Sequence, residues 1–348
     1  MALACATASG QEQAGTGAAS PPAVERADPC RGEQRAGGAS IDRLREGVFQ
    51  GVCSTSRWFD GLFGDAREQA EVYDETYGRV GVGLSWNPVD ELQLDGHFRA
   101  NLHLPAFGDR VNAVVGRETE ETFVNDNFDD VGFLAGSFSD DQDAEWYAGL
   151  NYNAVEGTNS RFDIGAGVQL KSPINPYVKA RYRYYLYLGA GVLVTPRATA
   201  FWENEDGFGL TLAADTDWSV DERALLRWAN TLTRSETTEG VRWKSRLAWY
   251  QGLSVQSAIR YEATVRGETD GIQPDLRELK VTYRRAVGRE WFFIEASGGV
   301  FWADDEDPDK RCDGCGMAGI GVELMFGERY DRSWQEAPGA DSNRRGGG

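Results

Sequence analysis

Residues 91–104, which read ELQLDGHFRANLHL, alternate strictly between polar side chains and apolar or small ones. The even positions from Leu92 to Leu104 are apolar or small, and the odd positions from Glu91 to His103 are polar. A period of two residues predicts a β-strand rather than an amphipathic helix. This strand is longer than the usual strand of about 5–6 residues. It is long enough to cross a bilayer at a tilt, for which about 9–11 residues are needed.

The same alternation recurs from Tyr77 onward and predicts fourteen strands. The third, near residues 110–117, has the weakest pattern, so twelve strands is the alternative. Strands this long and this numerous favour a closed barrel over a sandwich, whose two sheets share a core only about 10 Å thick. We therefore predict an all-β fold, in which residues 77–327 form a closed antiparallel transmembrane β-barrel. The strands are predicted near 78–86, 91–104, 110–117, 145–155, 160–170, 177–188, 192–203, 207–218, 223–235, 240–250, 254–267, 276–286, 290–303 and 316–326.

Composition agrees with a membrane barrel. The chain has 348 residues, of which 42 are glycine, 13 tyrosine and 11 tryptophan, and 41% are hydrophobic. It has no run near the roughly 18 apolar residues that a transmembrane helix needs. A net charge of −19 argues against a nucleic-acid partner. Tryptophans of apolar parity fall at predicted strand ends, where an aromatic girdle belongs. They are Trp86, Trp146, Trp202, Trp218, Trp249 and Trp302.

The segments outside the barrel have a different character. Residues 1–76 are predicted to be an exported N-terminal extension, first disordered and then helical from an N-cap at Ser40. The beginning resembles an export signal, yet no basic or fully apolar stretch precedes the small residues around Cys5. A truncated start and a lipidated Cys5 are the two alternatives. Residues 328–348 are predicted to be a flexible C-terminal tail.

The last predicted strand resembles the C-terminal signal by which bacterial outer-membrane barrels are recognised for insertion. It places Ile320, Val322, Leu324 and Phe326 on one face. Other motifs are similar to those of a proteobacterial group of outer-membrane barrels of unassigned activity, and this resemblance covers roughly residues 77–327. It implies the fold, the outer-membrane location, contact with lipid and lipopolysaccharide, and handling by the barrel-assembly machinery, but no activity. These motifs are Arg181-Tyr-Arg183-Tyr, Phe201-Trp202-Glu-Asn-Glu-Asp-Gly-Phe208-Gly and Leu226-Arg-Trp228.

The resemblance also orients the barrel. If the last strand ends at Phe326 on the periplasmic side, the long acidic segments 118–144 and 303–315 are extracellular. The short connections 105–109, 156–159, 189–191, 219–222, 251–253 and 287–289 are then periplasmic. The N-terminal helix also lies in the periplasm, where we expect it to be available to a periplasmic partner.

The cysteines indicate an oxidising compartment, because four of the five fall into two local pairs. We predict two disulfides. They join Cys30 to Cys53 and Cys312 to Cys315.

We expect no metal and no cofactor. A lone CxxC motif lacks the second pair that a zinc site needs. The acidic spacing of Asp305, Asp307 and Asp309 begins like a calcium loop. However, Lys310 replaces the required glycine and no glutamate closes the loop, so a solvated loop fits better.

We also expect no enzymatic activity. Both histidines of the chain, His97 and His103, share the polar face of one predicted strand and point to the lumen. Asp95 lies two residues before His97 on the same face and could pair with it to form a general base. A hydrogen bond within the lumen wall fits this spacing better. No GxSxG, HExxH or phosphate-binding motif occurs.

The lumen wall is the main candidate site. Without the third strand, the inner parity carries sixteen basic and eleven acidic residues. Paired across neighbouring strands, these charges would close the interior and make the barrel a structural or assembly scaffold for a periplasmic partner. Exposed, they would line a narrow channel. We predict the channel, for small polar solutes with a weak preference for anions, and keep the closed or plugged scaffold as the alternative. The predicted basic ladder consists of Lys179, Arg181, Arg183, Arg197, Arg242, Lys244 and Arg246, and the opposing acids are Glu295, Glu323, Glu91 and Asp95.

Overall fold

A computed structural model provides the structure. It describes residues 77–104, 110–119, 123–124, 144–156, 159–189, 191–271, 274–289, 291–305 and 307–327. The predicted N-terminal helix, the Cys30–Cys53 disulfide and the C-terminal tail lie outside these residues. Within the described part of the chain, no helix is long and apolar enough to span a membrane.

In the part of the chain that the structure describes, fifteen antiparallel strands form one sheet, whose two edges meet because β6 pairs with β8. The sheet is therefore a closed barrel. All fourteen predicted strands are present, including the third, so the twelve-strand alternative is wrong. The strands are β1 (Tyr77–Asn87), β2 (Glu91–His103), β3 (Val111–Glu118), β4 (Glu145–Glu156), β5 (Ser160–Gln169), β6 (Asn175–Tyr184), β7 (Leu186–Gly189), β8 (Val192–Glu203), β9 (Gly207–Asp221), β10 (Ala224–Ser235), β11 (Arg242–Ser254), β12 (Ser257–Glu268), β13 (Leu276–Ala286), β14 (Phe292–Ala303) and β15 (Cys312–Gly327).

The fifteenth strand arises because one predicted strand is interrupted. Strand β7 pairs with β8 at Leu186 and Tyr187 in the register that β6 and β8 already share, and the register shifts before Gly189. Tyr184 then lies across from Pro196, which has no N–H to donate between the strands. The next residue, Tyr185, donates its N–H to the Asn159 carbonyl on the other side, at 2.9 Å. Strands β6 and β7 therefore occupy one position in a barrel of fourteen strand positions.

The two faces of the sheet differ as the alternation predicts. Apolar side chains such as Val82, Leu94 and Leu210 are exposed on the outer face, and Trp86 and Trp218 of the predicted girdle lie among them. In a bilayer this face contacts lipid, and the closed sheet leaves no edge with unpaired backbone groups.

One polar side chain of the outer face, Asn230, is satisfied by its neighbours. Its Oδ1 atom accepts a hydrogen bond from Ser245 Oγ at 2.9 Å. Ser245 Oγ in turn accepts a hydrogen bond from Trp228 Nε1 at 3.0 Å. This chain of hydrogen bonds spares the lipid-facing amide oxygen the cost of having no partner.

The two ends of the barrel carry different connections. One end, here the long-loop end, carries the segments between β3 and β4 and between β14 and β15. The other, the turn end, carries two-residue turns such as the one between β9 and β10.

The predicted turn at 251–253 is wrong, because β11 continues through Gly252 to Ser254. The turn lies at Val255 and Gln256. Ser254 Oγ accepts a hydrogen bond from the Gln256 N–H at 3.2 Å and lies 2.7 Å from Ser257 Oγ. The serines thus close the turn, whereas Gly252 remains inside the strand.

Candidate functional site in the barrel lumen

Charged side chains fill much of the lumen. Among the described residues, eleven basic and eight acidic side chains are at most 9% exposed. Because burying a charge is unfavourable unless the charge is paired, the partners of these groups decide what the lumen can do. The basic residues are Arg79, Arg99, Arg161, Arg181, Arg183, Arg197, Arg227, Arg246, Arg260, Lys280 and Arg284, and the acidic ones are Asp163, Glu203, Asp215, Asp217, Glu262, Glu278, Glu295 and Glu323.

A basic part of the wall surrounds Asp163 on β5. Its Oδ2 atom lies 3.1 Å from the Nη2 atoms of both Arg181 and Arg183, two residues of the predicted basic ladder. Arg161 approaches the other carboxylate oxygen, with its Nε atom at 3.4 Å. Three guanidinium groups thus share one carboxylate, and this cluster carries more positive than negative charge.

Farther round the barrel, other ladder residues pair with acids on neighbouring strands. Arg197 donates from Nη1 to Asp215 Oδ2 at 3.2 Å. The Nε atom of Arg246 lies 4.0 Å from Glu262 Oε2, which Arg260 also approaches at 3.6 Å. The sequence did not indicate these partners, because they depend on the register between strands.

The rest of the ladder lies nearer the long-loop end and is less buried. Arg242 forms an ion pair with Glu268, its Nε atom lying 3.8 Å from Oε2. Lys244, two residues along the same strand, is half-buried. Lys179 is also half-buried and donates from Nζ to the backbone carbonyl of Phe123.

Two of the four predicted opposing acids meet at a single arginine. The Nη1 atom of Arg284 lies 2.8 Å from Glu295 Oε2 and 2.6 Å from Glu323 Oε2. His97 approaches Glu323 from the other side, with Nε2 at 3.5 Å from Oε1. Gly81 lies between these two residues in the strand register and offers no side chain to separate them.

The other two predicted acids lie elsewhere on the wall. Asp95 accepts a hydrogen bond from Ser85 Oγ at 2.5 Å, and Glu91 is exposed at the start of β2. The structure therefore places Glu295 and Glu323 nearest to Arg284, while Asp163 is nearest to part of the ladder. Charge is balanced largely between neighbouring strands, and the field across the lumen is correspondingly smaller.

An apolar cluster on the lumen wall was not predicted. We call it the aromatic slot, and it consists of Val114, Tyr147, Tyr177 and Phe201, all nearly fully buried. Alternation offered a signal, since these residues interrupt the polar inner parity of β3, β4, β6 and β8 with apolar or aromatic side chains. The slot holds Phe123 from the segment between β3 and β4.

Three glycines provide the space for this cluster. A Cβ atom at Gly149 would lie 2.2 Å from Tyr177 Oη, and one at Gly167 would lie 2.6 Å from it. A Cβ atom at Gly209 would lie 2.0 Å from Phe201 Cζ. The rings of Tyr177 and Phe201 therefore lie against bare backbone, and any larger residue at these positions would push them into the lumen.

At the long-loop end the predicted disulfide between Cys312 and Cys315 is present. Cys312 is buried in a second apolar cluster with Leu276, Phe301 and Met317.

The described residues contain no group of three or more His, Cys, Asp or Glu side chains able to hold a metal ion. In the nearby acidic loop, the Asp305 and Asp307 carboxylates accept backbone N–H groups within the loop, at 2.9 and 3.1 Å. These bonds fit the predicted solvated loop.

The closed antiparallel barrel and its apolar outer face decide the location. The protein lies in a bacterial outer membrane.

Comparison with known proteins adds structural likenesses only. No family model and no curated protein matches the sequence. A loop L8 deletion mutant of OmpT, an outer membrane protein of Vibrio cholerae, is 11% identical, with 72% of this chain and 98% of that chain covered and a TM-score of 0.44. The outer membrane channel DcaP of Acinetobacter baumannii is 9% identical, with coverage of 72% and 96% and a TM-score of 0.44. OprB of Pseudomonas putida is 10% identical, with coverage of 76% and 97% and a TM-score of 0.46.

Proposed function

We propose that the protein is a narrow outer-membrane channel for small polar solutes, with a weak preference for anions. The cluster of Arg161, Arg181 and Arg183 around Asp163 carries this proposal, because it concentrates positive charge on one side of the lumen. Filling a barrel with apolar side chains avoids the desolvation of charges, so ion pairs are an expensive way merely to close it. We propose that they border a narrow path for water and ions, because Arg161, Arg181 and Arg183 are at most 7% exposed and leave little open space beside them.

A closed or plugged barrel that acts as a structural or assembly scaffold for a periplasmic partner is the second candidate. The observation that favours it is burial, since Arg183, Arg260 and Arg284 are at most 2% exposed. In this case the pairs between neighbouring strands stabilise the barrel without a water-filled path.

Conductance in a planar bilayer distinguishes the two candidates. The full chain and a variant lacking residues 1–76 are each inserted, and the reversal potential is measured under a salt gradient. A current whose reversal potential is displaced toward the equilibrium potential of the anion supports the channel. If both proteins are inserted and resist denaturation but carry no current, the result supports the closed barrel.

We further propose that the long-loop end is extracellular and that the N-terminal extension lies in the periplasm, available to a partner there. We propose lipopolysaccharide and the barrel-assembly machinery as partners. We also propose that the chain belongs to the proteobacterial group it resembles. We propose no enzymatic activity. Protease added to intact cells should cleave within 125–143 and leave residues 1–76 attached. Loss of the N-terminal extension instead would reverse the orientation.

A further inference from the structure

The aromatic slot is occupied by a residue of the protein itself. The ring of Phe123 stacks on Tyr147 with a centroid distance of 4.6 Å and an interplanar angle of 17°. It meets Tyr177 edge-on at 5.8 Å. Phe123 is 3% exposed and the adjacent Val124 is 0% exposed, so the slot encloses this turn of the chain.

Two basic side chains border the same ring. The Nζ atom of Lys179 lies 5.3 Å from the Phe123 ring centroid, and the guanidinium carbon of Arg99 lies 5.9 Å from it. Both distances are within the range of cation–π attraction. Arg99 also binds Glu118 through Nη1 at 2.7 and 2.9 Å, which fixes its position beside the slot.

Lys179 makes a second contact with the same residue. Its Nζ atom donates a hydrogen bond to the backbone carbonyl oxygen of Phe123. Phe123 therefore presents two features to the slot, a flat ring stacked on Tyr147 and a carbonyl oxygen that accepts a hydrogen bond from the Lys179 ammonium group. A solute with a ring and a carboxylate presents the same two features, and its charged oxygen accepts a stronger hydrogen bond than an amide carbonyl does.

The wall of the slot has the glycines that this shape requires. Gly149, Gly167 and Gly209 let Tyr177 and Phe201 lie against the sheet, as the short distances to a hypothetical Cβ atom show. The flat wall leaves room for one ring, which Phe123 fills.

We propose that the aromatic slot is a binding site for small aromatic carboxylates and that Phe123 occupies it as an internal competitor. The ring of the solute takes the place of the Phe123 ring against Tyr147, and its carboxylate replaces the Phe123 carbonyl at Lys179. The site goes beyond the proposed channel function, because binding can be measured whether or not the barrel conducts.

The test is calorimetric titration of the full chain in detergent with benzoate, comparing wild type with Phe123→Ala. Removing the internal ring should tighten benzoate binding about tenfold, the size expected for one aromatic stacking contact. Acetate, which has no ring, should show no such gain. Phe301→Ala is the matched control, because it removes a buried ring from the other apolar cluster and should leave benzoate binding unchanged.

The role of Lys179 is tested in the Phe123→Ala background. Adding Lys179→Met should weaken benzoate binding about tenfold, the contribution of a charge-assisted hydrogen bond. It should leave the binding of uncharged benzyl alcohol unchanged.

Retained heat-modifiable mobility on a gel verifies folding of each variant. If Phe123→Ala fails to fold, Phe123→Leu keeps the apolar volume without the flat ring and should still bind benzoate more tightly than wild type. Equal benzoate affinity in wild type and the folded variant, or an equal gain for acetate, overturns the proposal. These outcomes are independent of conductance, so they are separate from a failure of the channel.

Discussion

The Nη1 atom of Arg284 on β13 lies 2.6 Å from Oε2 of Glu323 on β15, across the intervening strand β14. The same nitrogen lies 2.8 Å from Glu295, which β14 contributes. All three side chains are at most 1% exposed. One guanidinium group therefore keeps two buried carboxylates together.

Replacing Arg284 with methionine should destabilise the barrel by about 3–5 kcal/mol, because it removes the guanidinium group that two buried carboxylates share. Equilibrium unfolding in urea, in detergent micelles, measures the loss. Arg277→Met is the control, since this arginine is exposed on the same strand and its loss should change stability by no more than about 0.5 kcal/mol.

Adding Glu295→Gln and Glu323→Gln to Arg284→Met should recover part of the lost stability, because the two buried groups that lost this guanidinium are then uncharged. A triple variant no more stable than Arg284→Met would show that the ion pairs are not the cause.

Reversing two ladder charges, Arg181→Glu with Arg183→Glu, should remove the proposed anion preference. Together with Asp163, the cluster would then hold three carboxylates beside Arg161, and local potential would favour cations. The reversal potential under a salt gradient should move toward the equilibrium potential of the cation.

The control for that experiment is Arg234→Glu with Arg277→Glu, which reverses two charges exposed on the outer face of β10 and β13. Its reversal potential should stay near that of wild type. If the two double variants behave alike, the ladder has no role in selectivity.

Gly149→Ala should destabilise the barrel by about 1–3 kcal/mol through overpacking, because the new Cβ atom would lie 2.2 Å from Tyr177 Oη. The same urea titration measures the effect. Gly96→Ala is the matched control, because the atom nearest to its new Cβ would be the Gly81 carbonyl oxygen at 3.9 Å. Equal stability of the two variants would mean that Tyr177 does not lie over Gly149.

The purified protein should behave as an outer-membrane barrel in detergent. Unboiled and boiled samples should migrate differently on a detergent gel, and circular dichroism should be dominated by strand. A helical spectrum, or solubility without detergent, would contradict the fold.

Mass spectrometry of a non-reduced digest should find Cys312 joined to Cys315, and Cys30 joined to Cys53. The first bond is present in the structure, and the second follows from the sequence alone. Free thiols at either pair would contradict the corresponding bond.

Local alternation in the sequence predicted fourteen strands and the face of the sheet that each side chain occupies, but not the interruption at Tyr185 or the turn at Val255 and Gln256. In a strand the direction of a side chain depends only on its position in a two-residue repeat, so local alternation is sufficient. It therefore placed Arg181 and Glu323 in the lumen and Leu94 outside. The Cys312–Cys315 disulfide could also be predicted from the sequence, because the two cysteines are close along the chain and their pairing does not depend on distant contacts.

Which charges meet and which residue fills the aromatic slot depend on the folded barrel. The contact of Arg284 with Glu323 spans three strands and depends on their register, which no local pattern encodes. Phe123 lies outside any strand, and its position results from contacts with side chains that β4 and β6 bring together. Alternation describes each strand separately, whereas these contacts exist only once the strands have closed into a barrel.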